Sequence, residues 1–114
     1  MLRLAGHKHW YAAAIHHTGR RSGKPYATPV VVERFADGFV VPLPYGTRVD
    51  WLLNILAAGR ASVDSQGESY DVVQPEVIGA AEAVRLLSSR RRPYFTRFGI
   101  EHYLKVTDAP QAHP

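Results

Sequence analysis

Three short turns divide much of this chain into runs of apolar residues. Gly19 and Gly23 bracket the first turn, Asp37-Gly38 forms the second and Gln66-Gly67 forms the third. Glycine-containing turns between two apolar runs are typical of tight β-hairpins. Because hairpins join antiparallel neighbours and leave few crossovers, the pattern predicts a small barrel or a strongly curved antiparallel sheet.

The expected fold is mainly β, of the α+β class, with about six strands and two or three short helices. The predicted strands cover residues 10–17, 26–35, 39–44, 61–65, 69–74 and 101–107, and the predicted helices cover residues 51–58 and 76–90. Asp50 suits the N-cap of the first helix, and Gly59 suits its end. Pro42 and Pro44 cannot donate to a ladder, so the third strand is expected to end raggedly or lie at an edge.

Length and composition indicate one globular domain. The chain has 114 residues, and its 46% hydrophobic fraction is sufficient for a packed core. The sequence contains no cysteine, which excludes disulfides and thiolate metal sites and fits a reducing compartment. Without a signal-peptide core or a long apolar run, a cytoplasmic location is expected. We expect one domain over residues 1–109 and a disordered tail over 110–114.

The first turn concentrates positive charge and one hydroxyl. Arg20, Arg21 and Ser22 lie between its glycines, and Lys24 follows them. Glycines can direct successive N–H groups into one concavity, and arginine forks suit phosphate or carboxylate. The formal net charge of +4 also favours an acidic partner: a nucleotide-like cofactor, a nucleic acid or an anionic membrane surface.

Two blocks of residues carry a resemblance to a known family. The first is Thr-Gly-Arg-Arg-Ser-Gly-Lys-Pro at residues 18–25, followed by Thr-Pro-Val at 28–30; the second covers residues 39–46 and 50–59. Together they resemble the signature of the deazaflavin-dependent nitroreductases, small split-barrel proteins of actinobacterial type that use reduced coenzyme F-420. The resemblance extends over residues 12–75.

The resemblance implies a split β-barrel, a bound deazaflavin and hydride transfer to an electron-poor small molecule of the quinone, nitro or enone class. Coenzyme F-420 carries a phosphodiester and a tail of glutamates, which the basic turn and the net positive charge suit. Flavin mononucleotide is the less favoured cofactor. In such enzymes the cofactor carries the chemistry, and the protein binds and orients it.

Site residues follow from the resemblance, position by position. The phosphate and the glutamate tail are assigned to the turn and to a residue before the helix: Arg20, Arg21, Ser22, Gly23, Lys24 and Arg48. The ring system is assigned to the second strand, the loop after the third strand and the early helix: Thr28, Pro29, Val30, Pro44, Tyr45, Gly46, Trp51 and Asn54.

The chain also departs from the family pattern. Some relatives have a lysine where this chain has Tyr45, and His16 and His17 replace a threonine run that usually precedes Thr18. A general acid is the one side-chain catalyst the reaction could use. His16, His17, Tyr45 and Tyr94 are candidates, and we assign the role to Tyr45 because it lies in the pocket loop.

Two other functions compete with the reductase. One is a non-catalytic split-barrel protein that binds deazaflavin, flavin, haem or lipid. The other is a small basic barrel for nucleic acid, for which Arg90–Arg92 with Tyr94 and Phe95 would be a patch; a solvated helix end is the preferred interpretation of that segment. We therefore expect a small-molecule acceptor, a possible homodimer and peripheral membrane contact at most, with no nucleic acid, integral membrane segment or metal.

Overall fold

The computed structural model describes residues 12–87 and 99–110. In chain order the elements are β1 (Ala12–Thr18), β2 (Pro25–Val31), β3 (Glu33–Phe35), β4 (Gly38–Pro42), α1 (Asp50–Ala58), β5 (Arg60–Ser65), β6 (Glu68–Gly79), α2 (Ala80–Leu86) and β7 (His102–Asp108). Within these described ranges no helix is long and apolar enough to cross a membrane.

One antiparallel sheet contains all of these strands, in the order β2-β1-β5-β6-β7-β4-β3. Its two edge strands, β2 and β3, are consecutive in the chain and are separated by Val32 alone. A flat sheet of this size would be about 30 Å wide, which one residue cannot span. The sheet must therefore curl until its edges approach each other. The prediction of a mainly β split barrel is confirmed, with seven strands where about six were expected.

Helix α1 packs against the concave side of this curled sheet. Leu52 and Ile55 have no exposed surface and belong to one core cluster with Ile15 of β1, Val63 of β5 and Leu104 of β7. The two helical residues are three apart and therefore share a face. Burial of that face also brings the buried polar side of α1 against β1, where the candidate site lies.

Strand β6 is the longest strand, and it bends in its middle. Gln74 has a φ of 54°, and the pairing with β7 shifts register between Val73 and Glu76. Such a bulge increases the local twist and bends a strand. The bend allows β6 to pair with β5 along its first half and with β7 along its second half.

The predicted start of the second helix is wrong. The sequence predicted a helix from Glu76, but residues 76–79 extend β6 and pair with β7, so α2 begins at Ala80. Val77 and Ile78 are β-branched residues that suit a strand, and their pairing overrides the helical spacing of the alanines that follow.

Several predictions fall on parts of the chain outside the described residues. These are the start of the first strand at residues 10 and 11, the helical residues 88–90, the Arg90–Arg92 patch with Tyr94 and Phe95, and most of the 110–114 tail. They stay predictions.

Other element boundaries also differ from the prediction. The predicted second strand divides at Val32 into β2 and β3, and the third strand ends at Pro42. Asp50 is the first residue of α1 and not its cap, because Val49 occupies the N-cap position without a side-chain cap bond. Gly59 ends the helix as predicted: its φ is 74°, and its N–H donates to the Ile55 carbonyl.

Edge strand β3 is held in place by Arg34. Its guanidinium lies 4.8 Å from the ring centroids of both Phe39 and Tyr70. The same group donates to the two carboxylate oxygens of Asp108 on β7, each at 2.7 Å. The guanidinium therefore lies over two rings that contact each other edge-to-face, and it also holds a carboxylate in a bidentate contact, which a lysine could not do.

We therefore expect Arg34→Lys to lower the free energy of unfolding by about 1–2 kcal/mol, because lysine keeps the charge but loses the fork and much of the stacking. Urea unfolding measures the change. Arg85→Lys, at an exposed position on α2, is the matched control and should leave stability unchanged. Equal unfolding midpoints for the two variants would contradict this role of Arg34.

Candidate functional site

The basic turn, residues 19–24, is closed by its own backbone. The Gly19 N–H donates to the Lys24 carbonyl at 2.8 Å, and the Gly23 N–H donates to the Gly19 carbonyl at 2.9 Å. Gly23 has a φ of 74°, which favours glycine. The Ser22 hydroxyl accepts from the Lys24 N–H at 3.2 Å, so its own hydrogen remains available to a ligand.

Arg20 joins this turn to α1. One guanidinium nitrogen donates to Asn54 Oδ1 at 2.7 Å, and the Arg20 backbone N–H donates to the same oxygen at 3.2 Å. The other nitrogen forms an ion pair with Asp50 at 3.2 Å. The Arg20 side chain is therefore held by contacts with α1, and its predicted contact with phosphate stays a prediction.

Asn54 continues the connection to two strands. Its Nδ2 lies 3.1 Å from Nδ1 of His17 on β1, and His17 Nε2 lies 2.9 Å from Oγ1 of Thr28 on β2. The ring of Tyr26 stacks against the His17 ring, with centroids 5.7 Å apart. A chain of polar contacts therefore runs from the basic turn through α1 to edge strand β2.

His17 is buried, and burial is the larger of two causes that lower its pKa below the ordinary value; the second is the neighbouring charge of His16. His16 itself makes a different contact, from Nε2 to Asp64 Oδ2 on β5 at 2.7 Å. The sequence treated both histidines as weak general-acid candidates. In the structure His17 connects Asn54 to Thr28, a role that the sequence did not predict. The only sequence signal at this position was the replacement of the family's threonine run by histidines.

Three predicted cofactor ligands remain free. Arg21, Lys24 and Arg48 are exposed, and among residues 12–87 and 99–110 none of them has an ion-pair or hydrogen-bond partner for its side chain. Arg48 lies two residues before Asp50, which contacts the turn through Arg20. Two of the free cations, Arg21 and Lys24, thus lie on a turn that Arg20 anchors, and Arg48 lies close in sequence to the Asp50 that Arg20 contacts.

The predicted ring-binding residues of β2 do not all point the same way. Thr28 pairs with the buried Ile15, and Val30 pairs with the buried Ala13, so both side chains face the concave side of the sheet. Pro29, between them, faces the other side. Of the predicted set on this strand, the structure therefore brings Thr28 and Val30 together.

The loop between β4 and α1 contains the remaining predicted residues. The Gly46 N–H donates to the Leu43 carbonyl at 3.2 Å, and Gly46 has a φ of 93°. Pro44 is exposed, and the Tyr45 side chain is 88% exposed. Trp51, by contrast, is half-buried and packs against the main core cluster. The loop therefore presents Tyr45 to solvent beside a helix that is firmly packed.

A cavity of about 810 Å³ opens at the same end of the barrel. Thr18 and Pro25, which flank the basic turn, line it together with His17 and Tyr26. Its far wall comes from β5 and β6. The turn with its unpaired cations therefore lies beside a cleft large enough for a small ligand. In the described part of the chain, no three His, Asp or Glu side chains are placed to hold a metal ion.

Comparison with known proteins decides the family. A sequence model of the F420H(2)-dependent quinone reductases matches residues 7–108, almost the whole chain. The chain belongs to the F420H(2)-dependent quinone reductase family. It is therefore an oxidoreductase that depends on coenzyme F-420, as the two sequence blocks predicted. No curated protein matches this reductase in sequence.

Solved structures support the fold of the reductase. It superposes on an F420-H2 dependent reductase (FDR-A) with a TM-score of 0.64 and 15% identity, over 83% of this chain and 92% of the other. An F420 reductase gives a TM-score of 0.61 at 9% identity, over 88% and 87% of the two chains. A domain-swapped dimer gives 0.63 at 15% identity, over 83% and 78%.

We expect Asn54→Ala to destabilise the reductase by about 1–3 kcal/mol, because it removes the acceptor shared by two Arg20 donors and the donor to Nδ1 of the buried His17. Thermal unfolding measures the loss. Glu82→Ala, at an exposed position on the other helix, is the matched control and should change stability little. An Asn54→Ala variant as stable as the wild type would show that the Asn54 contacts are not needed to hold the turn.

The lowered pKa of His17 gives a second expectation, for pH. The unfolded chain takes up a proton at His17 near pH 6.5, while the folded chain resists it until lower pH. The unfolded state therefore binds more protons in this window, and the free energy of unfolding falls as pH drops below about 6.5. Urea unfolding at a series of pH values measures the slope. His17→Gln should make it shallower, and an unchanged slope would contradict the assignment.

Proposed function

We propose that this F-420-dependent reductase delivers hydride to a small electron-poor acceptor of the quinone class. The observation that carries the proposal is the family match over residues 7–108. Nitro compounds and enones, which the sequence resemblance also suggested, are the alternative acceptors. The acceptor is a small molecule, and the binding residues are those that remain uncommitted at the cavity end of the barrel.

The residues at this end suit the charge of the cofactor. Arg21, Lys24 and Arg48 have no acidic partner among the described residues, and a phosphodiester with a glutamate tail supplies several. We assign the direct contacts to these three cations. Ser22 offers a hydroxyl hydrogen, and Gly23 allows the backbone to approach closely.

Arg20 has a different role in this proposal. Its guanidinium is already shared between Asn54 and Asp50, so it neutralises an acidic group beside the site and fixes the direction of the turn. Asn54 acts on the cofactor through Arg20 as well. The two residues are therefore positioning residues, and the phosphate contact belongs to Arg21.

The ring system is assigned to the inner side of β2 and the loop before α1. Thr28 and Val30 face the concave side, while Pro29 fixes the pairing of the strand. Proline has no N–H, so Ala14 and Pro29 form a non-hydrogen-bonded pair of the antiparallel ladder. Because hydrogen-bonded and non-hydrogen-bonded pairs alternate, the pair that contains Ala27 is also non-hydrogen-bonded, and the Ala27 N–H points away from β1. Edge strand β2 thus offers backbone donors to a ligand. Pro44, Gly46 and Trp51 complete the proposed wall.

When bound, the reduced deazaflavin supplies a hydride, and a quinone that takes this hydride and one proton becomes a hydroquinone. The chain's task is to bind, orient and exclude water. Tyr45 remains the proposed proton donor, and its 88% exposure leaves it accessible from solvent. Tyr45→Phe should lower kcat and leave the Kd for F-420 unchanged. An unchanged kcat would assign the proton to water.

We expect Arg21→Ala to weaken the binding of oxidised F-420 by about tenfold or more, without loss of stability, because the side chain is exposed and unpaired. Arg20→Ala should weaken binding and also lower the unfolding temperature. Fluorescence titration with the cofactor measures the first effect and thermal unfolding the second. Arg85→Ala removes a cation from α2 and is the matched control. If Arg85→Ala lost as much affinity for F-420 as Arg21→Ala, the effect would come from net charge and not from a contact made by Arg21.

The acceptor class is tested by turnover. Oxidation of reduced F-420 is followed optically with a quinone, a nitroaromatic compound and an enone, each over a concentration series. The proposal expects the largest kcat/KM for the quinone. A larger value for either other class would reassign the acceptor and leave the F-420 dependence intact.

A further inference from the structure

The polar contacts at the site have a fixed direction, which begins at Arg20. A guanidinium and a backbone N–H can only donate hydrogen bonds, and both donate to the same atom of Asn54. That atom must therefore be the carboxamide oxygen. The Asn54 NH₂ group consequently faces His17, and it must donate to Nδ1 of the ring, 3.1 Å away.

This donation determines the tautomer of His17. Because Nδ1 accepts a hydrogen bond, it carries no hydrogen, and a neutral ring then carries its hydrogen on Nε2. Nε2 lies 2.9 Å from Oγ1 of Thr28. His17 is therefore the donor in this contact, and the Thr28 oxygen is the acceptor.

The hydroxyl hydrogen of Thr28 is left to point elsewhere. Within residues 12–87 and 99–110, no acceptor receives it. Thr28 lies on edge strand β2, is half-exposed and faces the concave side of the sheet. The chain of contacts from Arg20 through Asn54 and His17 therefore ends at the Thr28 hydroxyl. This hydroxyl keeps one hydrogen to donate, on the concave side of edge strand β2.

We propose that His17 is a positioning residue which, held as the Nε2–H tautomer by Asn54 and Arg20, makes Thr28 a hydrogen-bond donor to an acceptor atom of the bound deazaflavin. This proposal rests on the proposed cofactor site. It assigns a role to a histidine that stands where the resembled family has a threonine, so the device belongs to this chain.

Protonation of His17 breaks the chain of contacts at a defined link. The added hydrogen on Nδ1 would face the NH₂ of Asn54, and rotating that carboxamide would turn its NH₂ toward Arg20, another donor. Both arrangements oppose donor to donor. The charged or titratable groups facing His17 are His16 beside it, Tyr26 stacked on it and Arg20 behind Asn54; Arg60 and Asp71 line the same cavity. Acid should therefore misalign Thr28 before the barrel unfolds.

The first part of the test uses the whole protein and oxidised F-420. Thr28→Val removes the hydroxyl at nearly constant shape and should weaken binding by about three- to tenfold; Thr28→Ser keeps the hydroxyl and should restore most of the affinity. His17→Gln replaces the ring by an amide that can accept from Asn54 and donate to Thr28 without titrating. It should bind F-420 as the wild type does at about pH 8.

The second part measures the ratio of the wild-type Kd to the His17→Gln Kd between about pH 8 and pH 5. The ratio cancels any titration of the cofactor and of the other histidines. It should rise by about three- to tenfold as pH falls, since only the wild type loses the Asn54–His17 contact that aligns Thr28. A purely structural histidine would leave this ratio constant.

The third part is independent of the cofactor. A long-range ¹H–¹⁵N spectrum of the histidine rings, assigned by the loss of one ring in His17→Gln, should show His17 with hydrogen on Nε2 and a bare Nδ1. A hydrogen on Nδ1 at neutral pH would overturn the proposal, whatever the affinities.

The outcomes separate the two proposals. The positioning role would be overturned, and the cofactor site left intact, by two results together. Thr28→Val would bind F-420 as tightly as the wild type, and the ratio of the wild-type Kd to the His17→Gln Kd would not change with pH. Wild-type protein that binds no F-420 would overturn both. Weaker binding in Thr28→Val, rescue by Thr28→Ser and a rising Kd ratio would together support the donor role.

Discussion

The carboxamide of Asn54 is the contact on which the candidate site depends. It is buried in the packed face of α1, and it joins the basic turn, strand β1 and, through His17, strand β2. A group that both accepts and donates can connect a cation to an imidazole without adding charge to the interior. An ionised aspartate at this position could accept from Arg20 but could not donate to Nδ1 of His17, and a leucine could do neither. The polar residue in an otherwise apolar helix face therefore has a physical reason.

The basic turn separates two uses of positive charge. Arg20 is neutralised and fixed by α1, whereas Arg21, Lys24 and Arg48 keep their charge for a ligand. A flexible turn with three unpaired cations would lose conformational freedom on binding, and that loss would weaken affinity. Anchoring one of the arginines removes part of that cost in advance. The arrangement fits a family whose cofactor is a polyanion.

The sequence predicted the turns well and the contacts between distant elements poorly. Gly59 and Gln66-Gly67 specify local backbone shapes, and these can be inferred from neighbouring residues alone. The turn predicted at Asp37-Gly38 lies one residue earlier, at Ala36 and Asp37, because Gly38 pairs with Phe35 and begins β4. The extension of β6 to Gly79 depends on pairing with β7, more than twenty positions along the chain, which local spacing does not report. The split at Val32 arises because β2 pairs with the preceding strand β1 and β3 pairs with the following strand β4. The two sequence blocks identified the family. They could not show that Arg20 would contact Asp50 and Asn54, because those two residues lie on another element.

The position of Val32 has a consequence for the way this barrel can open. Among residues 12–87 and 99–110, ladders hold every neighbouring pair of strands in the sheet. Its two edge strands, β2 and β3, are connected only through Val32 of the chain. Any widening of the seam must therefore be a wedge with its apex at Val32. The wedge is widest at the opposite end of β2, on the order of 20 Å away for a seven-residue strand. That end is Pro25, directly after the basic turn, so a ligand held by the turn lies at the mouth of the one gap that can spread without breaking a ladder.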